Sequence, residues 1–509
     1  MERSTSFDKR NSALEMSPDA FRRAGHDLID RIADFLETLP QRPVTTGEQP
    51  SRIRTLLGQE ALPEAGRAAS ELLERAANLL FDHSLFNGHP RFLGYITASG
   101  APIGALGELL ATAVNPNVGA FALSPMATEI EKQTVRWIAE LIDYPADCGG
   151  LFVSGGTMAN FVGYLAGRRA KATWPIRQKG LRKQPPLTVY CSGQTHTWLQ
   201  KAADQYGQGT DSIRWIKTDD NQRMDVEELE RQIRMDLDWG FQPFLVVGTA
   251  GTVSTGAVDP LAAIADVCRR YDLWFHVDGA YGAPAAALPE NAELFQGLRE
   301  ADSLALDPHK WLYSPLEAGC VLVRDPQDLV EAFHFHPEYY NFDGEVEDPA
   351  TNFHEYGPQN SRGFRALKVW LGLQQAGRQG YIQMMRDDIA LAKALYRVVG
   401  TYPELEALSH HLSITTFRFV PDGMSGDDPA EKTYLDNLNA ELLNRLQRGG
   451  EVFVSNAIIE GVYCLRACVV NFRTTMAEME ALPELVRRVG RQIDAERRCD
   501  LKKSYSLSH

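Results

Sequence analysis

Positive charge is in short supply in this sequence. Its 509 residues carry 52 Lys and Arg against 67 Asp and Glu, a formal net charge of -15. Such a balance excludes a nucleic-acid-binding surface, which needs clustered cations, and disfavours adhesion to anionic lipid. Long apolar runs are missing too. The amino terminus, MERSTSFDKRNSALEMSPDAF, has no apolar core of signal-peptide length, and no uninterrupted apolar stretch reaches a membrane span. A cytoplasmic protein is the expectation. Cysteine is sparse and scattered: the seven (Cys148, Cys191, Cys268, Cys320, Cys464, Cys468, Cys499) are odd in number and form neither a disulfide framework nor a zinc knuckle. Cys464 and Cys468, four apart in a strand-like run, read as small buried thiols. There is no internal repeat and no low-complexity block. The partners left to expect are small molecules and other copies of the chain, with no metal.

Three regions follow from the patterning. Ser17 and Pro18 start a helix, the serine able to cap and the proline suited to the first helical position. Phe21, Leu28, Ile32, Phe35 and Leu36 then recur at helical spacing as far as a stop near Pro40. A second helical stretch lies around Glu71 to Leu80, so residues 1–88 are expected to form a helical dimerisation arm. From about His89 short apolar runs alternate with helical segments. LTVYCS, PFLVVGTAG, LWFHVDGA, DSLALDP and GCVLVRD read as strands, several of them apolar on both faces, which is the signature of an α/β domain over 89–380. LSITTFRFVP and VYCLRACVV place a smaller α+β domain at 381–509.

Sheets of this kind bind ligands beyond the carboxyl ends of their strands, and four such ends carry polar residues. VSGGTMAN passes from a strand through Ser154 to Thr157 into a helix, where free amides take a phosphate or the turn is a plain capped start. QTHTW sets His196 at the mouth of a helix, to stack on something flat or to cap. FHVDGAYG ends a strand on Asp278, costly there unless it meets a cation. DSLALDPHKWLY ends on Lys310, an ammonium with the same difficulty. One cofactor satisfies all four: pyridoxal 5'-phosphate. Its aldehyde takes the lysine, its cationic ring nitrogen meets the aspartate, its phosphate sits in the Gly/Thr turn, and the imidazole covers its face.

Taken together, DPHKW, FHVDGAYG, VSGGTMAN, GTAGTVSTGAVDP and QTHTW resemble in order and separation the motifs of the group II pyridoxal-phosphate-dependent decarboxylases, which act on aromatic amino acids, tyrosine, glutamate and histidine. The resemblance implies fold type I: a large domain on a mainly parallel seven-stranded sheet, an amino-terminal helical flap, a small carboxyl-terminal domain, and a homodimer. It implies Lys310 as the cofactor-linked lysine, Asp278 as partner of the ring nitrogen, His196 and Ala280 on the two ring faces, and Gly156, Thr157 and His309 toward the phosphate, with Thr252 near the ring. Asp307 stands where animal aromatic-amino-acid decarboxylases have asparagine.

Decarboxylation leaves a carbanion at Cα that a general acid must protonate, and the family places a tyrosine on a loop for this step. Aligned without gaps from Phe364 backwards, that position falls on Phe353, which has no proton to give, and Tyr356 stands three residues on. Such an acid contributes roughly a hundred- to ten-thousand-fold. In plant relatives the exchange of tyrosine for phenylalanine accompanies oxidative deamination to an aldehyde. Three readings stay open: His196 or Tyr356 donates the proton; dioxygen enters; or the loop register is off by three and Tyr356 is the usual acid. The expected product is the amine of an aromatic L-amino acid, with an acidic substrate in reserve. Phe92 and Tyr95 offer an aromatic wall or are core residues; Arg91 recruits an acidic side chain or lies on the surface. An aminotransferase would clamp the substrate carboxylate, with Arg466 in YCLRACVV as candidate, unless that arginine belongs to an ion pair. A non-catalytic cofactor-binding protein would be expected to lack Lys310 or Asp278. A dinucleotide-binding fold is a poorer match, since SGGTMAN lacks the G-x-G-x-x-G spacing.

Overall fold

Strands that must be apolar on both faces need cover on both sides, and that requirement organises the chain. The computed structural model describes residues 12–335, 350–426 and 428–507, with side chains as far as Cys499. Seven strands form the large sheet: β1 (Gly149–Val153), β2 (Leu187–Ser192), β3 (Ile213–Ile216), β4 (Gln242–Thr249), β5 (Trp274–Asp278), β6 (Ser303–Leu306) and β7 (Gly319–Val323). Their order is β1-β7-β6-β5-β4-β2-β3. Only β7 is antiparallel to its neighbours, pairing β1 on one side and β6 on the other. Every residue of β1, β2, β5, β6 and β7 is buried, which is why these runs carry no polar alternation. The seven-stranded, mainly parallel sheet expected from the sequence is present.

The helices of the first half are α1 (Pro18–Thr38), α2 (Pro50–Leu57), α3 (Ala69–His83), α4 (Pro102–Val114), α5 (Pro125–Leu141) and α6 (Gly156–Lys171). Ser17 Oγ accepts the Ala20 amide at 3.2 Å and Pro18 opens α1, as the capping logic requires. No residue of α1 is buried; its Phe35 ring stacks on Phe81 of α3 at 4.5 Å between centroids. α4 likewise leaves Leu106, Leu109, Leu110 and Val114 exposed. In contrast, α6 packs across β1, β4, β5, β6 and β7, and its first residue stands at the carboxyl end of β1.

The second sheet, β8 (Leu405–His411), β9 (Ile414–Phe419), β10 (Ser455–Ile459) and β11 (Val462–Cys468), is antiparallel in the order β10-β11-β9-β8. Leu93 joins it from far upstream: its amide donates to Phe453 O at 2.7 Å and its carbonyl accepts the Cys468 amide at 2.9 Å. The helix Ala366–Val399 crosses residue 380 and packs on α4 and α5 as well as on β8 and β9, kinking at Gly377 (φ 63°, ψ 170°), a conformation that glycine alone adopts without strain. Cys464 and Cys468 are buried, unpaired thiols. No described helix is long and apolar enough to cross a membrane.

One buried ion pair ties the sheet to the segment after residue 350. The Arg362 guanidinium bonds Glu131 of α5, and both side chains are wholly buried. It also donates to Val118 O and Phe152 O, each at 2.7 Å, while Glu131 Oε1 accepts the Phe152 amide at 2.9 Å. The guanidinium carbon lies 4.7 Å from the centre of the Phe353 ring. A buried pair of this kind adds little net stability, but losing one partner costs about 3–5 kcal/mol because the other charge is stranded. The pair therefore fixes where Phe353 sits.

Candidate active site

The carboxyl ends of β1, β2, β4, β5 and β6 converge on a cavity of about 420 Å³. Ser154, Gly155, Gly156 and Thr157 reach it from the β1–α6 turn, and Gln194 and His196 from beyond β2. Thr249, Gly251 and Val253 come from the end of β4, Asp278, Ala280 and Tyr281 from β5, and Asp307, His309 and Lys310 from β6. Of the nine residues put forward from the sequence, Lys310, Asp278, His196, Ala280, Gly156, Thr157 and His309 meet here. Thr252 and Tyr356 do not line it.

Asp278 is 5% exposed, yet it is not unpartnered: Oδ2 accepts the Trp198 indole N–H at 2.7 Å and Oδ1 the Ala280 amide at 3.1 Å. Those bonds aim the carboxylate. Lys310 Nζ lies 2.9 Å from Asp307 Oδ2, whose other oxygen has no partner among the described residues. His196 Nδ1 accepts the Trp198 amide at 3.2 Å, so the neutral ring carries its proton on Nε2. The imidazole is a cap and a cavity wall at once. Burial pulls its pKa down, partly offset by the charge of Asp278. His309 is built the same way, with Nδ1 accepting the Ala318 amide at 3.0 Å and burial lowering its pKa.

Two features behind the wall were not read from the sequence. Beneath Asp278, His276 bridges Asn160 of α6 and Ser303 of β6, each at 2.7 Å, and burial pushes it down to about 4, so it is neutral. Beyond Lys310, the Trp311 indole at 2.9 Å and the Tyr313 hydroxyl at 2.6 Å both donate to Asp388 Oδ2; burial pushes that carboxyl up to about 7. Trp311 also stacks on Tyr281 at 4.9 Å. The lysine turn is thus clamped by aromatic donors. The one hint in the sequence was tryptophan directly after each motif, in QTHTW and DPHKW.

The remaining candidates fall elsewhere. Thr252 turns its hydroxyl onto Thr255 at 2.9 Å, and its neighbours Gly251 and Val253 face the cavity instead. Phe353, 1% exposed, meets Tyr356 edge-on at 5.9 Å, and both border a separate cavity with Cys148 and Trp370. Burial, then the charge of Glu355, raises the Tyr356 phenol. Phe92 is core, stacked on Phe453 at 5.3 Å, whereas Tyr95 is 57% exposed. Arg91 borders a surface cavity with Glu451 and Glu478, away from Lys310. Arg466 is buried without a carboxylate partner among the described residues: it donates to Ser455 Oγ at 2.9 Å and Tyr95 O at 3.3 Å, leaving Nε and Nη2 unpaired.

A flat, phosphorylated, cationic heterocycle fits these residues. The first amides of α6 have no intrahelical partner and no acidic side chain in that turn. The Thr249 hydroxyl is buried and has no hydrogen-bond partner among the described residues. The fixed carboxylate of Asp278 and the side-chain nitrogen of Lys310 complete the set.

Residues 50–419 match the family described as the pyridoxal-dependent decarboxylase conserved domain. The chain is 33% identical to an aromatic-L-amino-acid decarboxylase of Bacillus atrophaeus, over 96% of this chain and 98% of that one. It is 29% identical to a phenylacetaldehyde synthase of a Rosa hybrid cultivar, over 89% and 90% of the two chains. It is also similar to the crystal structure of Oryza sativa TDC with PLP and tryptamine, with a TM-score of 0.87 and 26% identity over 95% of this chain and 100% of that one.

Proposed function

From the premise that this chain belongs to the pyridoxal-dependent decarboxylases, a family of fold type I amino acid carboxy-lyases, we propose that it converts an aromatic L-amino acid to its amine and carbon dioxide. The observation that carries this reading is the meeting of Asp278, His196, Lys310 and the α6 amino terminus in one cavity. The aromatic substrate is supported by the Bacillus relative.

Pyridoxal 5'-phosphate, when bound, supplies an aldehyde that engages the substrate amine and a cationic ring that accepts the electron pair released as carbon dioxide leaves. The chain's own residues do the rest. Lys310 would hold the cofactor through its side-chain amine. Asp278, held by Trp198 and Ala280, keeps the ring nitrogen charged. The α6 amides, Thr157 and His309 take the phosphate. His196, on the cavity wall, is the residue placed to serve the proton transfer at Cα. This assignment needs no proton from the Phe353 position.

A second reading rests on Phe353 itself. With a phenyl ring where the family has its tyrosine, and with a phenylacetaldehyde synthase among the relatives, the product would be an aldehyde with ammonia and hydrogen peroxide. Purified holoenzyme given L-tyrosine, L-tryptophan, L-phenylalanine, L-3,4-dihydroxyphenylalanine and L-glutamate separates the readings. Amine equal to the carbon dioxide released, without peroxide, is expected from an aromatic substrate; stoichiometric peroxide would defeat the amine assignment.

The working unit in this reading is a cytoplasmic homodimer. Its support is the apolar surface that α1 and α4 leave exposed, together with Val253 and Leu316 on the cavity wall, 42% and 58% exposed. Light scattering at micromolar concentration should give twice the chain mass; a monomer would remove this part of the proposal.

A further inference from the structure

A tyrosine three residues past the lysine holds an unusual backbone. Tyr313 has φ 51°, in the left-handed region that a bulky side chain seldom occupies, so something outside the turn must keep it there. The turn itself is tight. The Lys310 amide donates to Asp307 O at 2.8 Å, and the Lys310 carbonyl accepts the Tyr313 amide at 3.1 Å. Whatever fixes Tyr313 therefore also fixes the backbone that delivers Lys310 to the cavity.

Asp388 reaches this turn from outside. It lies in the helix Ala366–Val399 and is 2% exposed, and its Oδ2 takes both the Tyr313 hydroxyl at 2.6 Å and the Trp311 indole at 2.9 Å. Those two rings flank Leu312, whose carbonyl accepts the Tyr381 hydroxyl from the same helix at 3.2 Å. We propose that Asp388 is a positioning residue for the reaction: by holding Trp311 and Tyr313 it sets where the Lys310 side chain enters the cavity.

The same two rings are where the small domain bears on the lysine. Trp311 stacks on Tyr281, whose hydroxyl shares a hydrogen bond with Ser413 Oγ at 2.6 Å and accepts the Ser413 amide at 3.0 Å, between β8 and β9. Tyr313 meets Phe472, beyond β11, edge-on at 5.6 Å. Ring contacts hold a plane, whereas the polar tip of each ring is held by its hydrogen bond. With Asp388 lost, the indole N–H and the phenol O–H would lose their acceptor in a buried place, a cost that the turn relieves by shifting. That shift carries Lys310 with it.

This positioning role rests on the pyridoxal phosphate reading, and hydrogen exchange in the cofactor-free chain keeps the two apart. Exchange is followed in wild type, Asp388→Leu, Asp388→Asn and Tyr313→Phe, with kcat and KM of the cofactor-loaded proteins alongside. In Asp388→Leu the amides of residues 307–313 should exchange at least about tenfold faster while those of β5 are unchanged. Its kcat should fall about ten- to a hundredfold at a KM within about threefold of wild type, the loss expected when a reacting group is displaced by about 1 Å. Asp388→Asn keeps a carbonyl oxygen for both donors and should recover most of the protection and the rate. Turn protection or kcat within about threefold of wild type in Asp388→Leu, or an asparagine variant as impaired as the leucine one, overturns the role of Asp388. If Asp388→Leu does not fold, Tyr313→Phe decides in its place: loss of the one hydroxyl should speed exchange of the turn and lower kcat, each about fivefold, and values equal to wild type overturn the role. No absorbance change when pyridoxal 5'-phosphate is added to wild type would overturn the cofactor reading instead.

Discussion

Lys310→Ala is expected to abolish carbon dioxide release and the visible absorption of the holoenzyme. Among the described residues Lys310 is the only lysine lining the cavity, so no neighbouring amine of that set replaces it. The alanine variant also strands Asp307 in a buried position, at a cost of about 3–5 kcal/mol, and loss of function alone would not separate chemistry from folding. Lys310→Arg does separate them: it keeps a cation beside Asp307 but offers no amine to the aldehyde. It should melt close to wild type and be equally inactive. Borohydride reduction followed by peptide mapping should leave the cofactor attached at position 310 in wild type and nowhere in either variant. Measured turnover in Lys310→Arg, or a label on another residue, would end the assignment.

Asp278→Asn should lower kcat by about a hundred- to a thousand-fold with little change in KM, the loss typical of removing one preorganised electrostatic group. The side chain keeps its shape, so the cavity stays intact and the charge is what disappears. The carboxylate accepts from both Trp198 and Ala280 at present. An amide turned to accept from the indole keeps that bond and directs no negative charge at the ring nitrogen. Steady-state rates of the two proteins, compared at saturating cofactor, decide the matter. A variant within about threefold of wild type would mean that Asp278 serves packing alone.

The parts of the molecule legible in its sequence share one physical cause. A strand buried on both faces must be apolar throughout, so LTVYCS coincides with β2, and the polar residue just beyond each such run is where burial stops and chemistry starts. Asp278 and Lys310 stood out because a charge at that place is costly. Thr252 lies off the cavity lining for the complementary reason: past the end of β4 nothing in GTAGT says which residue turns inward. Trp198 and Asp388 could not be assigned, since their bonds to Asp278 and to the lysine turn span 80 and 75–77 residues. Phe353 was placed by alignment alone; only the structure puts its ring under Arg362, and only a kinetic measurement assigns the proton to His196.

The order of the large sheet has a bearing on how the protein is made. β1 is the first of the seven strands to be synthesised, yet its sole neighbour is β7, the last. A nascent chain thus holds a finished apolar strand, and the α5 face that covers it, without a docking edge until residues near Val323 have left the ribosome. At about 5–20 residues per second, the 170 or so intervening residues (roughly 323 minus 153) take on the order of ten to thirty seconds. Throughout that interval the turn at Ser154–Thr157 and the lysine are separate pieces, so vitamin supply cannot rescue a stalled intermediate. Overexpression should therefore respond to holdase chaperones and lowered temperature rather than to added pyridoxine.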